Sequence, residues 1–69
     1  MSKFGPLLKQ VLKEKGMSQV AFADEINVSP RSVRRWIGTD IIPTKSTMCR
    51  ITEAIGIRMV FETGEYERR

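Results

Sequence analysis

The stretch from Ser18 to Trp36 decides the fold and reads Ser-Gln-Val-Ala-Phe-Ala-Asp-Glu-Ile-Asn-Val-Ser-Pro-Arg-Ser-Val-Arg-Arg-Trp. Ser18 and Ser29 each precede a helical pattern, where a serine hydroxyl can accept an N–H group that the opening turn leaves unpaired. Pro30 then occupies a first-turn position, where its missing N–H is harmless. Asn27 lies between the two patterns and tolerates the left-handed conformation that ends a helix. The stretch therefore predicts a helix-turn-helix motif.

The second helix of this motif has two different faces. Val33 and Trp36 are spaced i, i+3, so both side chains can point into a core. Arg31, Arg34 and Arg35 are then left on the opposite, exposed face. One interpretation is an ordinary solvated surface; the other is that the guanidinium groups reach guanine O6 and N7, or phosphates, in the major groove of DNA. Because this helix is the second of a helix-turn-helix, we favour DNA binding.

Composition sets further bounds. The chain has 69 residues, a net charge of +4 and a sequence pI near 9.7; this predicts one small domain and favours a polyanionic partner. The single cysteine, Cys49, excludes an internal disulfide, fits a reducing compartment and is expected to be a small core or boundary residue. No secretory signal or membrane-length apolar run is present, so we expect a soluble, cytoplasmic protein with no membrane partner.

The sequence offers nothing that catalysis requires. It contains no histidine and no second cysteine, and it has neither a nucleophile beside a base nor a glycine-rich phosphate loop. We therefore expect no enzymatic activity, no metal and no cofactor.

Helices are also predicted on both sides of the motif. The first begins near Gly5 and ends at Gly16, with an apolar stripe at Phe4, Leu7, Leu8, Val11 and Leu12. Its outer lysines are either a solvated face or a source of nonspecific attraction to phosphates. The last helix ends at Gly56, with Ser46 or alternatively Thr47 as its cap and an inward stripe of Met48, Ile51, Thr52 and Ile55. In the loop before it, at least one of Ile41 and Ile42 is expected to be buried.

Residues 57–63 change to an alternating pattern that predicts a β-strand. No other segment resembles a strand, and the charged segment from Gly64 to Arg69 is expected to be frayed. We therefore predict that the strand pairs with the same segment of a second subunit. The expected dimerisation residues are Ile57, Met59, Val60 and Phe61. The predicted fold is mainly α: a four-helix helix-turn-helix domain at 1–56, followed by a dimerisation strand and tail at 57–69.

Residues 17–57 resemble the Cro and C-repressor (XRE-type) helix-turn-helix family of phage repressors, their relatives in bacterial chromosomes and antitoxins. The resemblance is carried without a gap by Ser18-Gln19, Phe22-Ala23, Ile26, Val28-Ser29, Val33, Trp36, Pro43, Thr47-Met48, Ile51 and Ala54 to Ile57. Three positions depart from the family pattern. Asn27 replaces a usual glycine, Ile37 replaces a usual glutamate, and Gly38 comes earlier than the glycine that normally follows the recognition helix.

The resemblance implies roles for individual residues. The implied base-contacting residues are Pro30, Arg31, Ser32 and Arg35, and those implied to contact the DNA backbone are Gln19, Ser29, Arg34 and Lys45. Pro30 has no side-chain donor, so it can only make apolar contacts, for instance with a thymine methyl group. The expected function is a repressor-like transcription regulator that binds double-stranded DNA as a homodimer at an inverted repeat. The alternative is an antitoxin or anti-repressor whose main partner is a protein, namely a toxin or a repressor.

Overall fold

A computed structural model describes residues 3–60 and 65–68. Among these residues there are four helices and a two-stranded sheet: α1 (Phe4–Lys15), α2 (Gln19–Glu25), α3 (Pro30–Gly38), α4 (Lys45–Ile55), β1 (Ile57–Val60) and β2 (Glu65–Arg68). The prediction of a mainly α, four-helix helix-turn-helix domain is confirmed.

The helix-turn-helix is held by the local hydrogen bonds that the sequence predicts. The Ser18 hydroxyl accepts a hydrogen bond from the backbone N–H of Ala21 at 3.0 Å, and the Ser29 hydroxyl accepts one from Ser32 N–H at 3.3 Å. Between them Asn27 has a φ of 61°, the left-handed conformation that lets the chain leave α2 and turn into α3. Both serine caps and the asparagine turn are therefore confirmed.

The ends of the outer helices follow the predictions except at the start of α4. Gly16 and Gly56 are both left-handed and terminate α1 and α4 as expected. The cap of α4 is Thr44, whose hydroxyl accepts the Thr47 N–H at 3.4 Å. The prediction of Ser46 or Thr47 as the cap is wrong because Thr44, directly after Pro43, already has the extended conformation of a cap residue.

Every helix contributes buried side chains to one core. Its apolar members are Phe4, Leu8, Val11, Leu12, Phe22, Ala23, Ile26, Val33, Trp36, Met48, Ile51, Ile55 and Ile57. Cys49 is exposed, because the inward face of α4 is formed by Met48, Ile51 and Ile55. The expectation that it is a small core or boundary residue is therefore wrong.

The loop between α3 and α4 keeps its isoleucines on the surface. Ile41 is 50% exposed and Ile42 is 49% exposed, so the prediction that one of them is buried is wrong. The Thr39 hydroxyl donates to the Arg35 carbonyl at 2.6 Å and accepts from Ile41 N–H at 3.1 Å. These two bonds hold the chain in a surface turn directly after α3.

The C-terminal segment forms a hairpin rather than an unpaired strand. β1 and β2 are antiparallel, with Ile57 opposite Arg68 and Met59 opposite Tyr66. The predictions that β1 has no partner in its own chain, and that the tail is frayed at 65–68, are therefore wrong. The charged residues of β2 are typical of a solvated tail in the sequence, but in the structure two of them, Glu65 and Arg68, form ion pairs with Lys3 and Glu14. Phe61 and the rest of the predicted strand at 61–63 lie outside the described residues.

The pairing changes the basis of the expected dimer. Ile57 is fully buried in the core of its own chain, so its side chain is not available to a second subunit. The backbone of β1 is paired along one edge by β2. A lack of any strand partner within the chain is thus no longer a reason for dimerisation.

Candidate nucleic-acid interface

The two faces of α3 are arranged as the sequence predicts. Val33 is completely buried and Trp36 is only 6% exposed, and both contribute to the core. Arg31, Arg34 and Arg35 are all exposed on the other side of the helix. The helix therefore presents three guanidinium groups to solvent while its tryptophan holds it against the rest of the domain.

These guanidinium groups have no acidic partners in the described part of the chain. The ion pairs found there join Lys3 to Glu65, Arg58 to Glu67 and Arg68 to Glu14. None of them includes an α3 arginine, and no side-chain hydrogen bond neutralises one. A cluster of like charges with no counter-charge attracts a polyanion, and the attraction is not reduced by a competing carboxylate.

The start of α3 adds a small polar and apolar surface. Ser29 and Pro30 are exposed, and Ser32 is half-buried one turn further along. The two serine hydroxyls lie 3.2 Å apart and hydrogen bond to each other. A proline ring and two hydroxyls therefore stand beside Arg31, where apolar and hydrogen-bonding contacts with base edges are chemically feasible.

The remaining predicted site residues lie on other helices. Gln19 is the first residue of α2 and is half-buried; Lys45 is the first residue of α4 and is exposed. The structure thus brings Ser29 to Arg35 together on α3 and its cap. Gln19 and Lys45 each lie in the first turn of a neighbouring helix, where an N-terminus favours phosphate.

The C-terminal half of α3 packs against two residues of α1 whose role the sequence pattern does not predict. The ring of Phe4 packs edge-on against Trp36 with centroids 6.2 Å apart, and Gly5 lies against the last carbonyl groups of α3. The sequence pattern indicates only that Gly5 lies at the start of the first helix. An isolated glycine inside an apolar helical pattern is the signal of close backbone approach that was available.

The described residues form neither a metal site nor a membrane-spanning helix. No group of histidine, cysteine, aspartate and glutamate side chains is arranged there to hold a metal ion. No helix in this part of the chain has the length and apolar character needed to span a membrane.

The fold, together with the exposed arginines of α3, defines a helix-turn-helix DNA-binding protein. Residues 8–61, more than half of the chain, match a family model described as helix-turn-helix. The chain belongs to this XRE-type family, which confirms the resemblance to Cro and C-repressor proteins. It is a family of DNA-binding transcription regulators and not a family of enzymes. No curated protein and no solved structure matches the chain.

Proposed function

We propose that the chain is a repressor-like regulator that binds an inverted-repeat operator as a dimer, with α3 in the major groove. The observation that carries this proposal is the arginine face of α3. Three exposed guanidinium groups, with no acidic partner among the described residues, lie opposite Val33 and Trp36, which pack the helix against the core. An α-helix fits the major groove of B-DNA, and arginine is well suited to bidentate contact with guanine.

Base reading is assigned to the N-terminal part of α3. Arg31 and Arg35 are one helical turn apart, so they share a face and can reach neighbouring base pairs. Ser32 can hydrogen bond to a base edge, and the ring of Pro30 can contact a thymine methyl group. Each good bidentate arginine–guanine contact contributes about 1–3 kcal/mol of discrimination.

Contacts to the DNA backbone are assigned to residues around this helix. Gln19 and Lys45 begin α2 and α4, while Ser29 and Arg34 flank the base-reading residues. Backbone contacts fix the register of a protein on DNA but carry no direct sequence information. Lys45→Ala and Arg34→Ala should therefore weaken binding to all sequences about equally, unlike substitutions of Arg31 or Arg35.

The dimer is assigned to the C-terminal hairpin. A sheet of two strands has an outer backbone edge on each strand, and such an edge can pair with the same edge of a second copy. The residues proposed to lie at or beside this contact are Met59, Val60 and Phe61; the burial of Ile57 removes it from this set. A two-fold axis would place two copies of α3 about 34 Å apart, which is why an inverted repeat is expected.

Salt dependence tests the electrostatic part of the proposal. An operator is first selected from a random DNA pool, and its affinity is then measured between 50 and 200 mM salt. With about three to five phosphate contacts per subunit, the affinity of a dimer should fall by roughly 10³–10⁵ over that range. Arg34→Ala removes one phosphate contact from each subunit of the dimer, so it should reduce the salt slope (the slope of log affinity against log salt concentration) by about 2. The matched control Arg58→Ala, in the hairpin, should leave this slope unchanged. An affinity that stays flat would contradict DNA binding through the arginine face.

Stoichiometry tests the dimer separately. Sedimentation equilibrium of the intact chain should show a dimer, and titration should give two chains per inverted repeat. Binding to a single half-site should be much weaker, because only one copy of α3 is then engaged. A chain that is monomeric at high micromolar concentration, and that binds one half-site as tightly as the repeat, would refute the dimer.

The exposed isoleucines favour a second candidate function. Ile41 and Ile42 present an apolar surface directly after α3, of a kind that is common at protein–protein contacts. An antitoxin or anti-repressor would use such a surface to bind a toxin or a repressor. Replacing both isoleucines by serine should then abolish the protein complex and leave DNA affinity unchanged; in the favoured proposal, the arginine substitutions have the dominant effect.

A further inference from the structure

We propose that Gly5, together with Phe4, is the positioning element that sets the orientation of the recognition helix α3. This inference rests on the proposed function, because it concerns how α3 is presented to DNA. Neither residue lies on the arginine face: both are buried at the start of α1. They would act on sequence preference without touching a base.

The first observation is the close approach of two backbones. A Cβ atom added at Gly5 would lie 2.5 Å from the carbonyl oxygen of Trp36 and 2.9 Å from that of Ile37. It would also lie 3.2 Å from the Ile37 Cα atom. All three atoms belong to the backbone of α3, so no side-chain rotation can relieve the overlap. A methyl group at position 5 therefore has to move one helix relative to the other.

The second observation is that Phe4, next to Gly5, packs against both α3 and the C-terminal hairpin. Its ring is fully buried and packs against Trp36 of α3 in an edge-to-face arrangement, with the planes at 67°. Its centroid also lies 5.0 Å from that of Tyr66 in β2. The start of α1 is thus enclosed between the end of α3 and the C-terminal hairpin, which leaves little freedom for it to yield.

The consequence for DNA reading follows from the rigidity of a short helix. α3 has nine residues, a length of about 13.5 Å. A displacement at Trp36 and Ile37 is therefore transmitted to Arg31 and Arg35 as a tilt. Bidentate contacts to guanine have narrow limits of distance and angle, whereas attraction to phosphates varies slowly with distance. A tilt should therefore reduce discrimination between sequences more than it reduces nonspecific binding.

Two glycine substitutions provide a matched comparison. Gly5→Ala introduces the overlap, while Gly38→Ala adds the same methyl group at the end of α3, where it would meet no atom within 4 Å. Both changes replace a helical glycine by alanine, so both gain similar helix propensity. The measured quantity is a ratio of two dissociation constants: the one for the selected operator with a guanine base pair replaced, divided by the one for the unchanged selected operator. A ratio above one means that the protein discriminates between the two sequences. The emission of Trp36, the single tryptophan, reports the folded fraction of each variant.

With Gly5→Ala, we expect affinity for the selected operator to fall about tenfold per half-site, which corresponds to the loss of one base contact in each half-site. Affinity for the substituted operator should fall less, so the ratio should approach one. Gly38→Ala should keep the wild-type ratio. A folded Gly5→Ala protein with the wild-type ratio would overturn the inference, because a residue needed only for stability would weaken both complexes equally.

A second variant covers the case in which Gly5→Ala does not fold. Phe4→Leu keeps Gly5 but removes the ring that packs against Trp36, so it should also reduce the ratio. Its control is Ile57→Val, a small truncation in the part of the core formed by β1. A Phe4→Leu protein that keeps the wild-type ratio would overturn the inference. A wild-type chain without any preference between the two operators would instead overturn the proposed function, and the inference with it.

Discussion

The recognition helix and the C-terminal hairpin both carry arginines, but they use them in opposite ways. In the hairpin, Arg58 pairs with Glu67 and Arg68 pairs with Glu14 of α1 at 2.8 Å. On α3, no described carboxylate pairs with any arginine. The same residue type thus contributes to cohesion of the chain in one region and remains available to a partner in the other. The basic net charge by itself does not distinguish these two uses.

The two regions also differ in how their structure is specified. The helix-turn-helix depends on caps that act within three or four residues, such as Ser18 on Ala21. The hairpin depends on pairing between distant positions: Glu65 contacts Lys3 at 3.0 Å, 62 residues away in the sequence. A local pattern can be recognised in a single sequence, whereas distant pairing requires two segments to be considered together.

The largest expected effect concerns the aromatic residue of each region. Trp36→Ala should lower the free energy of unfolding by about 3–5 kcal/mol, enough to unfold a small domain. Tyr66→Ala should lower it less, because Tyr66 is only half-buried. Urea denaturation followed by circular dichroism measures both. A well-folded Trp36→Ala protein that had lost only DNA binding would mean that the tryptophan faces the groove.

Arginine substitutions in the two regions should affect DNA binding very differently. Arg31→Ala or Arg35→Ala should weaken binding to the selected operator by roughly 1–3 kcal/mol per half-site and relax the preference at one base pair of each half-site. Arg68→Ala is the control: it removes the same side chain from an ion pair and should leave the preference unchanged. Binding titrations with operators substituted at single positions measure this. If all three variants behaved alike, the contrast between the regions would be lost.

Lys45→Ala should have a smaller and uniform effect on DNA binding. Lys45 is exposed at the start of α4, where a phosphate contact carries no sequence information. Affinity for every sequence should fall by a similar factor. The salt slope should decrease by about 2, because one phosphate contact is lost in each subunit of the dimer. A change in base preference with this variant would move Lys45 into the base-reading set.

The ion pairs of the hairpin should contribute little to stability. Glu14→Gln removes the carboxylate partner of Arg68, and both side chains of that pair are about half exposed to solvent. Exposed pairs of this kind typically contribute about 0.2–1 kcal/mol, and salt screens them. Thermal denaturation at low and high salt should show a small difference that decreases at high salt. A loss of several kcal/mol would mean that the hairpin depends on charge more than on packing.

The smallest expected effect is at alkaline pH. Burial raises the pKa of the Tyr66 hydroxyl above its usual value of 10.0. The neutral phenol is therefore favoured in the folded state, and its contribution to stability is fully present below about pH 10 and lost as pH rises through the folded-state pKa. Tyr66→Phe should remove this alkaline loss without affecting DNA binding near neutral pH. Denaturation midpoints of both proteins between pH 8 and pH 11 test the prediction.

The sequence by itself determined the helices and the orientation of the candidate site. The roles of Ser18, Ser29 and Asn27 are local: the two serines cap backbone N–H groups three residues away, and the asparagine turns the chain by its own backbone conformation. Such roles can be predicted from the neighbouring residues in the sequence. The spacing of Val33 and Trp36 likewise determines which side of α3 is exposed. These features are predictable because helix geometry relates sequence separation directly to direction in space.

Only the tertiary structure decided the formation of the hairpin and the packing of α1 against the recognition helix. In the sequence, Tyr66 and the charged residues around it are typical of a tail; in the structure they form a strand paired with β1. Gly5 likewise indicates only a helix start in the sequence, whereas in the structure it lies against the backbone of α3. In the same way, the turn at Thr39, and not the apolar character of Ile41 and Ile42, left both side chains at the surface. Each of these outcomes depends on which parts of the chain come together in three dimensions. Side-chain preferences and periodicity describe one segment at a time, so they do not specify such contacts.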